Sequence, residues 1–385
     1  MGFLIYNEIM IKVCSEIKPL KKVLLHRPGD ELKMELDQLT GFLFDELPDY
    51  KKAAKEHDSF SKILKSQGVE VVYLEDLFSE VIKDKEIKEE FLNQFLLEAN
   101  ISRKDRSLAY DYLKSIKNAK KFTLATMSGL YLDGRMVVEP LPNLVFTRDH
   151  FASIGKGVSL NKMYTETRRR ETIYGEYIFK YHKDFDETVM YYNRYEKYNI
   201  EGGDIMNLNE KTLIIGTSQR TQTHAVINLA KSIFEKQKKI QTIYAVDIPH
   251  NRAYMHLDTV LTQMDKYKFV AFPGILNKLD VYVITKDGYT QESLTIQEIL
   301  EKELNHSVTI VKCGGEDKKA QKFEQWNDGA NVLCVKPGVV VGYKFNTITN
   351  DLIRKAGVTV LELDGPELSK GRGGARCMSM PLERG

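Results

Sequence analysis

One cysteine near the end of the printed sequence stands in a setting that favours nucleophilic chemistry. Cys377 follows a glycine-rich segment, residues 371–374, and Arg372 and Arg376 lie beside it. A thiol attacks carbon as its anion, and guanidinium groups and free backbone N–H groups both favour that anion. The pattern predicts a nucleophile beside an anion-binding loop. Taken alone, a buried and inert cysteine is the commoner case.

A proton carrier for this thiol is available in residues 255–259, where His256 and Asp258 stand two positions apart. In an extended segment, side chains at i and i+2 project from the same face, so we expect both to reach one pocket. Imidazole titrates near neutral pH and can give a proton to a leaving amine and then take one from water. This spacing also occurs often for purely structural reasons.

Three further segments carry groups that such a site could use. Residues 201–204 place Glu201 and Asp204 around two glycines, residues 143–149 end on Asp149, and Arg220 follows a predicted strand. Each has an ordinary explanation as well: an acidic turn, a turn capped by aspartate, or a solvated charge. Taken together, the acids and arginines fit a ligand with one cationic and one anionic end, since carboxylates hold cations and arginine forks hold carboxylates.

Composition and spacing exclude several other classes of function. With 42% hydrophobic residues, 29% charged residues and a formal net charge of +2, the chain is typical of a globular protein without a nucleic-acid partner. The four cysteines lack disulfide or zinc-site spacing, and no H-E-x-x-H, Walker A or G-x-G-x-x-G motif occurs. We therefore expect no metal and no cofactor. The absence of a basic leader and of an 18-residue apolar run predicts a cytoplasmic protein that does not enter membranes.

Short β-branched runs alternate with amphipathic helical patterns. The strands are predicted at residues 22–25, 69–74, 212–215, 242–246, 281–284, 308–311, 339–341 and 358–363. A helix is predicted at 225–237, because its apolar residues form one stripe. Residues 80–120 have apolar residues at helical spacing among dense charges, which predicts a helical insertion. The fold class is therefore α/β or α+β, with one domain over residues 1–385.

Taken in order, motifs along nearly the whole chain resemble those of the arginine deiminases, members of the guanidine-modifying superfamily. The motifs are Leu25–Gly29, Phe44–Glu46, Glu56–Asp58, Asn143–Asp149, Met163–Arg168, Ile200–Asp204, Ser218–Thr221, Met255–Thr259, Gln325–Gly329 and Gly371–Pro381. The resemblance implies a five-bladed α/β propeller of pseudo-symmetric ββαβ modules with a helical insertion. The strand pattern alone does not order the blades.

The resemblance also implies a role for each matched residue. Cys377 would be the nucleophile, and His256 the general acid and base that Glu201 orients. Asp149 and Asp258 would hold a guanidinium group. The residues implied for binding the rest of the substrate are Arg168, Arg220, Arg372, Asn143, Phe146 and Gly371. The implied reaction converts L-arginine to L-citrulline and ammonia through an S-alkylthiouronium on the cysteine, without a cofactor, and is compatible with a homo-oligomer.

Several alternatives remain open at this point. A related hydrolase of agmatine or methylarginine, or an amidinotransferase, would share the cysteine, the histidine and the acids, but agmatine has no carboxylate for the three arginines. A non-catalytic arginine-binding protein would keep the pocket without the chemistry. Two departures from the family pattern occur: His150 stands where proline is usual, and residues 222–224 are unusual after the Ser218–Thr221 motif.

Two aspartates close to a cysteine should raise the pKa of its thiol, because negative charge disfavours the thiolate. We therefore expect the resting thiol of Cys377 to be mostly protonated at neutral pH. A bound guanidinium would neutralise the field of Asp149 and Asp258 and favour the thiolate. Ionisation would then be assisted by the substrate.

Overall fold

The computed structural model describes residues 11–385. Residues 1–10, on which the expectation of a missing leader rests, lie outside the described residues. In the described range, no helix combines the length and the apolar composition that crossing a bilayer requires.

The strands and helices follow each other along the chain in a mixed order. The strands are β1 Leu20–Leu25, β2 Glu70–Tyr73, β3 Leu130–Leu132, β4 Arg135–Val138, β5 Phe151–Ile154, β6 Gly157–Leu160, β7 Val189–Tyr192, β8 Ile205–Asn207, β9 Thr212–Thr217, β10 Thr242–Asp247, β11 Leu261–Asp265, β12 Lys268–Ala271, β13 Leu279–Thr285, β14 Gly288–Leu294, β15 Thr309–Lys312, β16 Leu333–Lys336, β17 Val339–Tyr343, β18 Thr359–Leu363 and β19 Met380–Arg384. The helices are α1 Tyr50–Ser66, α2 Leu74–Val81, α3 Lys85–Glu98, α4 Arg103–Ser115, α5 Ala119–Ser128, α6 Thr147–His150, α7 Glu166–Arg169, α8 Thr172–Tyr181, α9 Thr223–Lys236, α10 Ile296–Leu304, α11 Lys318–Trp326 and α12 Thr347–Lys355.

One strand arrangement recurs in five sheets. In each, the first strand is antiparallel to the second, and a third strand, reached through at least one helix, runs parallel to the second. The modules are β5-β6-β7, β8-β9-β10, β11-β12-β15, β16-β17-β18 and β19-β1-β2. A parallel neighbour needs a crossover, and the helices supply it. The predicted fold class, an α/β propeller of five ββαβ modules, is confirmed.

The modules close into a ring. First strands of adjacent modules contact each other, β19 with β5 and β11 with β16. Strand β19 also pairs with β1, so the final module joins two segments that are far apart in sequence. The hairpin β13–β14 lies between β12 and β15 along the chain and extends the sheet of β10. Loops at the ends of the first strands therefore meet around one centre.

Helix α9 shows how the sequence pattern produces the packing of a module. Val226, Leu229, Ala230 and Ile233 recur at helical spacing and are buried against the main apolar core. The amphipathic pattern at 225–237 predicted this helix within two residues of its observed ends. Its partner strands β9 and β10 are the β-branched runs predicted at 212–215 and 242–246.

Helices α2–α5 occupy residues 74–128, a longer run than the predicted 80–120 segment. They pack on α8 through an aromatic cluster in which the ring centroid of Phe91 lies 4.6 Å from that of Phe78, 5.5 Å from Phe95 and 5.2 Å from Tyr177. Phe91 is completely buried. That residues 1–385 form one domain stays a prediction, which this shared core supports.

We expect Phe91→Ala to lower the free energy of unfolding by about 3–5 kcal/mol, because it removes a buried ring and leaves a cavity. Leu97→Ala, on the same helix but at an exposed position, should change it by no more than about 0.5 kcal/mol. Urea unfolding followed by circular dichroism measures both. Equal stability of the two variants would show that the aromatic cluster does not hold the helices on the ring.

Candidate active site

A small cavity of about 20 Å³ lies where the loops of several modules meet. Its walls are formed by Leu43, Asn143, Phe146, Asp149, Arg168, Arg220, Met255, His256, Thr259, Gly371, Arg372 and Cys377. This volume holds about one water molecule. A ligand the size of an amino acid therefore requires rim side chains to shift. Of the predicted site residues, Glu201 and Asp258 lie behind the wall, and the others line it.

Cys377 is held by its backbone in the segment before β19. Its N–H donates to Oδ1 of Asn331 over 3.1 Å, and its carbonyl accepts the N–H of Arg148 over 3.1 Å. The glycine at 371 permits close packing, because a Cβ there would lie 2.8 Å from Cζ of Phe146 and 2.9 Å from Cε1 of Phe44. The glycine-rich segment thus lets the loop pass close to aromatic side chains.

The surroundings of Cys377 disfavour its thiolate. Burial raises the pKa of the thiol well above its usual value. The carboxylates of Asp258, Asp149 and Asp328 raise the pKa further, whereas the Arg376 guanidinium opposes them. The nearer acid is Asp258, whose Oδ2 lies 3.7 Å from Sγ. These contacts support the expected protonated thiol.

His256 is oriented by Glu201. Its Nε2 lies 2.7 Å from Oε2 of Glu201, and its Nδ1 lies 3.7 Å from Oδ1 of Asp149. Burial lowers the pKa of His256, but the charge of Asp149 and the hydrogen bond to Glu201 outweigh burial and raise it to about 9. The imidazole is therefore a cation at neutral pH, ready to give a proton.

The backbone around His256 differs from the predicted extended segment. His256 itself is extended, but Leu257–Thr259 form a 3-10 turn. The N–H of Leu257 donates to Oδ1 of Asp204 over 2.8 Å, which holds the chain in that turn. The prediction that His256 and Asp258 project from the same face of a strand was wrong. Both still border the thiol, because Asp258 contacts Cys377 from beneath the cavity wall.

Glu201 is a buried anion. Its Oε1 accepts the backbone N–H of Tyr164 over 2.9 Å, and Arg220 Nη1 lies 3.7 Å from its Oε2. Burial raises the pKa of Glu201, but Arg220 and His256 outweigh burial and lower it to about 2. Gly203 makes room for the pair, because a Cβ there would lie 2.6 Å from Nδ1 of His256.

Asp149 and Asp258 each have one oxygen held by a buried arginine. Nη1 of Arg168 donates to Oδ2 of Asp149 over 2.8 Å, and Nη1 of Arg376 donates to Oδ2 of Asp258 over 2.8 Å. The other oxygen of Asp149 is buried and has no hydrogen-bond partner among residues 11–385. A buried carboxylate oxygen without a donor is a strong acceptor for a cation such as guanidinium.

The three arginines of the predicted carboxylate clamp line the same cavity in different states. Arg168 is saturated by Asp149 and by Glu171 at 2.9 Å. Arg220 keeps a buried Nε with no hydrogen-bond partner in the described part of the chain. Arg372 has a left-handed backbone with φ 62° and stacks its guanidinium 3.3 Å from the centroid of the Trp326 ring. Arg220 and Arg372 are therefore better placed than Arg168 to bind an anion.

Asp149, Glu201 and His256 bring potential metal-ligand atoms within 4.8 Å of one another. These atoms already have protein partners or cationic neighbours, since Arg168 binds Asp149 and His256 binds Glu201. Arg220 adds another positive charge beside Glu201. The three groups are therefore held in ion pairs with other protein groups, and Oδ1 of Asp149 is left as an acceptor for an N–H group.

Some residues of the site had no role in the sequence analysis. Asn331 donates to the carbonyl of Asp258 over 3.0 Å and binds the N–H of Cys377, so it ties the acid to the thiol. Asp204, whose pKa burial raises to about 6, fixes the turn after His256. The sequence feature that could have pointed to Asn331 is the Gln325–Gly329 motif, which ends two residues before it. Asp204 was included in the Ile200–Asp204 motif, but nothing in the sequence indicated which group it binds.

The two departures from the family pattern lie outside the cavity wall. His150 is buried and places Nε2 3.0 Å from Oε2 of Glu171, and it is not among the residues that line the cavity. Its carbonyl accepts the N–H of Asn161, which in turn donates through Nδ2 to the carbonyl of Asp149 over 2.8 Å. His224 stacks on Tyr198 with ring centroids 4.9 Å apart. Neither histidine touches Cys377 or His256.

Comparison with known structures shows the same fold in enzymes that modify guanidines. An amidinotransferase of saxitoxin biosynthesis from Microseira wollei superposes with a TM-score of 0.60 at 12% identity, covering 97% of each chain. An adduct of dimethylarginine dimethylaminohydrolase with S-methyl-L-thiocitrulline superposes with a TM-score of 0.56 at 16% identity, covering 94% of this chain and 99% of that one. At these identities, the likeness establishes the fold alone.

Sequence comparison gives a closer relation. Residues 40–384 match the family model described as arginine deiminase. The arginine deiminase of Treponema denticola is 48% identical, covering 97% of this chain and 98% of that protein. The arginine deiminase of Mycoplasma capricolum is 42% identical, covering 98% of both. With a family match over most of its length and relatives at these identities, this chain belongs to the arginine deiminase family.

Proposed function

We propose that the protein hydrolyses L-arginine to L-citrulline and ammonia, with Cys377 as the nucleophile. The observation that carries the proposal is the convergence of the thiol, the His256–Glu201 pair and two carboxylates around one cavity. Family membership supports the same reaction.

The substrate guanidinium would lie between Asp149 and Asp258. Oδ1 of Asp149 is a buried oxygen with no donor among the described residues, and both oxygens of Asp258 lie within 3.9 Å of Sγ. Two carboxylates on one planar cation fix its orientation and hold its carbon near the thiol, which lowers the entropic part of the barrier. The bound cation also offsets the negative field on the thiol, so the thiol proton leaves to solvent and a thiolate forms.

In the first half-reaction, the Cys377 thiolate adds to the guanidinium carbon. The carbon–sulfur bond forms, and protonated His256 gives its proton to one terminal nitrogen. The carbon–nitrogen bond then breaks, ammonia leaves, and an S-alkylthiouronium remains on the enzyme. Glu201 holds Nε2 of the ring, so Nδ1 is the nitrogen that we assign to proton transfer.

In the second half-reaction, neutral His256 takes a proton from a water molecule, whose oxygen adds to the thiouronium carbon. Collapse breaks the carbon–sulfur bond. The proton of the new hydroxyl returns to the sulfur, and citrulline forms. His256 is again protonated and Cys377 is again a thiol, so the enzyme ends the cycle in its starting state, and one proton has passed to solvent.

The α-carboxylate of the substrate would be bound by Arg220 and Arg372. Arg168 would set the position of Asp149. Asn143 is fixed by donation from Nδ2 to the carbonyl of Phe42 over 2.9 Å, and Phe146 forms an apolar wall. Agmatine lacks the α-carboxylate that these guanidinium groups would hold. Buried arginines left without an anion are costly, so we expect arginine to be strongly preferred over agmatine.

We expect Cys377→Ala to abolish both citrulline and ammonia, because no other described group can form the thiouronium. Cys14→Ser, at a half-buried cysteine outside the cavity wall, should keep activity within about twofold, as surface substitutions usually do. Colorimetric citrulline and coupled ammonia assays measure both variants. Citrulline formation by Cys377→Ala at the rate of the parent would remove the nucleophile from the proposal.

The resting thiol should react slowly at neutral pH. Without arginine, the rate at which iodoacetamide alkylates Cys377 should rise with pH and show no plateau below pH about 9, the upper end of ordinary thiol pKa values. The modified peptide can be quantified by mass spectrometry. A plateau that gives a thiol pKa below about 7, where activated thiols titrate, would contradict substrate-assisted ionisation.

The general acid can be tested through the pH dependence of kcat/KM. His256 donates only below its pKa of about 9, so kcat/KM should fall as the pH rises through that value. Glu201→Gln removes the anion that stabilises the imidazolium, and the fall should move to lower pH by about one unit or more. Glu324→Gln, at a buried glutamate that caps α12, is the control. An unchanged upper limb in Glu201→Gln would remove Glu201 from this role.

A further inference from the structure

Residues 11–18 lie against the ends of β5 and β8 that are remote from Asp149 and Asp204, and they hold Glu16 in the interior. Val13 exchanges two backbone hydrogen bonds with Gly155, of 2.8 and 2.6 Å. The N–H of Glu16 donates to the carbonyl of Asn207 over 2.8 Å. The segment is thereby fastened to the turn between β5 and β6 and to β8. Its glutamate is 5% exposed.

The Glu16 side chain binds the arginine next to the nucleophile. Oε2 of Glu16 accepts from Nε of Arg376 over 3.2 Å, and Oε1 accepts the N–H of Asn207 over 3.0 Å. Arg376 is 1% exposed and donates through Nη1 to Oδ2 of Asp258 over 2.8 Å. Oδ2 of Asp258 lies 3.7 Å from Sγ of Cys377. One continuous set of contacts therefore joins Glu16 to the thiol.

Glu16 is the counter-charge of a positively charged interior. Burial raises its pKa, but the charges of Arg376, Arg148 and Arg384 outweigh burial and lower the pKa to about 2, so the carboxylate is ionised. All three arginines are almost completely buried. Nη2 of Arg148 has no hydrogen-bond partner in the described residues. Three buried guanidinium groups thus face Glu16 and Asp258, and a loss of either acid would leave them undercompensated.

We propose that Glu16 is a positioning residue of the active site: its carboxylate holds and neutralises Arg376, so that the potential around Asp258 and Cys377 stays negative, which attracts the substrate guanidinium and opposes ionisation of the thiol before the substrate binds. The expected effect on arginine turnover rests on the proposed function. The expected effect on the ionisation of the Cys377 thiol does not depend on it.

The expected sign follows from Coulomb's law. Without the Glu16 charge, Arg376 makes the potential at Asp258 and Cys377 more positive. A more positive potential stabilises the thiolate, and it repels the guanidinium of the substrate. In a protein without the Glu16 charge, we therefore expect the thiol to ionise at lower pH and arginine to bind more weakly. A role in folding alone would produce neither change.

The test is the isosteric variant Glu16→Gln in the full chain. We expect its Cys377 to be alkylated with an apparent pKa about one unit lower than in the parent, the order of magnitude for removing a buried charge that is joined to the thiol through Arg376 and Asp258, at an effective dielectric constant of about 20. KM for arginine should rise about tenfold for the same reason, and kcat should change less. Iodoacetamide, an uncharged reagent, reports the first quantity by peptide mass spectrometry, and steady-state citrulline assays report the others.

Glu75→Gln is the matched control, because Glu75 is another buried carboxylate paired with a cation, His26, over 2.9 Å. It should leave the alkylation profile and KM as in the parent. Adding Arg376→Gln to Glu16→Gln removes the uncompensated charge and should return the alkylation profile toward that of the parent.

An alkylation profile of folded Glu16→Gln that coincides with that of the parent would overturn the proposal. If Glu16→Gln does not fold, Glu16→Asp replaces it, and the same profile should shift in the same direction by a smaller amount, since the carboxylate is withdrawn by one methylene. An unshifted profile there also overturns it. Alkylation requires no turnover, so failure of this inference is separate from failure of the proposed reaction.

Discussion

The charged groups at the centre of the ring lie out of water, and a buried charge persists only where an opposite charge or a hydrogen bond replaces its hydration. This constraint explains why acids and bases alternate through the site. Arg168 pairs with Asp149, Arg376 with Asp258, and His256 with Glu201. Oδ1 of Asp149, the carboxylate oxygen that Arg168 does not bind, has no hydrogen-bond donor among residues 11–385. The site is thus completed by a cation with several N–H groups, which is the chemical description of a guanidinium.

The same constraint sets the protonation states that the reaction needs. A cationic imidazole beside a neutral thiol differs from the thiolate–imidazolium pair found in many cysteine enzymes in the state of the sulfur. Here the surrounding carboxylates stabilise the imidazolium of His256 and destabilise the thiolate of Cys377. A cationic substrate reverses only the second effect. A resting thiol in this state would react slowly with alkylating and oxidising agents, since both act on the thiolate.

The sequence was enough to predict which residues meet at the cavity but not the backbone geometry around them. Cys377, His256 and Glu201 belong to short motifs whose residue types indicate the roles that we propose for them. The turn at Leu257–Thr259 was missed because it depends on Asp204, a partner more than fifty residues away. Glu16 was missed for the same reason, since its partner Arg376 is far along the chain. A contact between residues far apart in the chain leaves no periodic pattern in the sequence around either residue.

The strands and helices also differ in how well the sequence predicts them. Strands β9 and β10 are rich in β-branched residues and are buried on both faces over most of their length, so their sequences predict them. First strands such as β5 and β8 have only three or four residues, too few for a periodic pattern to appear. The helical run was predicted too short at both ends, and at its start the reason is that α2 begins directly after β2 without an intervening turn signal.

The pairing of β19 with β1 has a bearing on when the protein becomes reactive. Cys377 lies three residues before β19, whose partner begins at Leu20. Contacts so distant in sequence form late, because the entropy of closing a long loop must be overcome first. The segment that carries Cys377 is therefore anchored by the pairing that completes the final module. A chain in which β19 has not paired with β1 would lack this anchor for the proposed nucleophile.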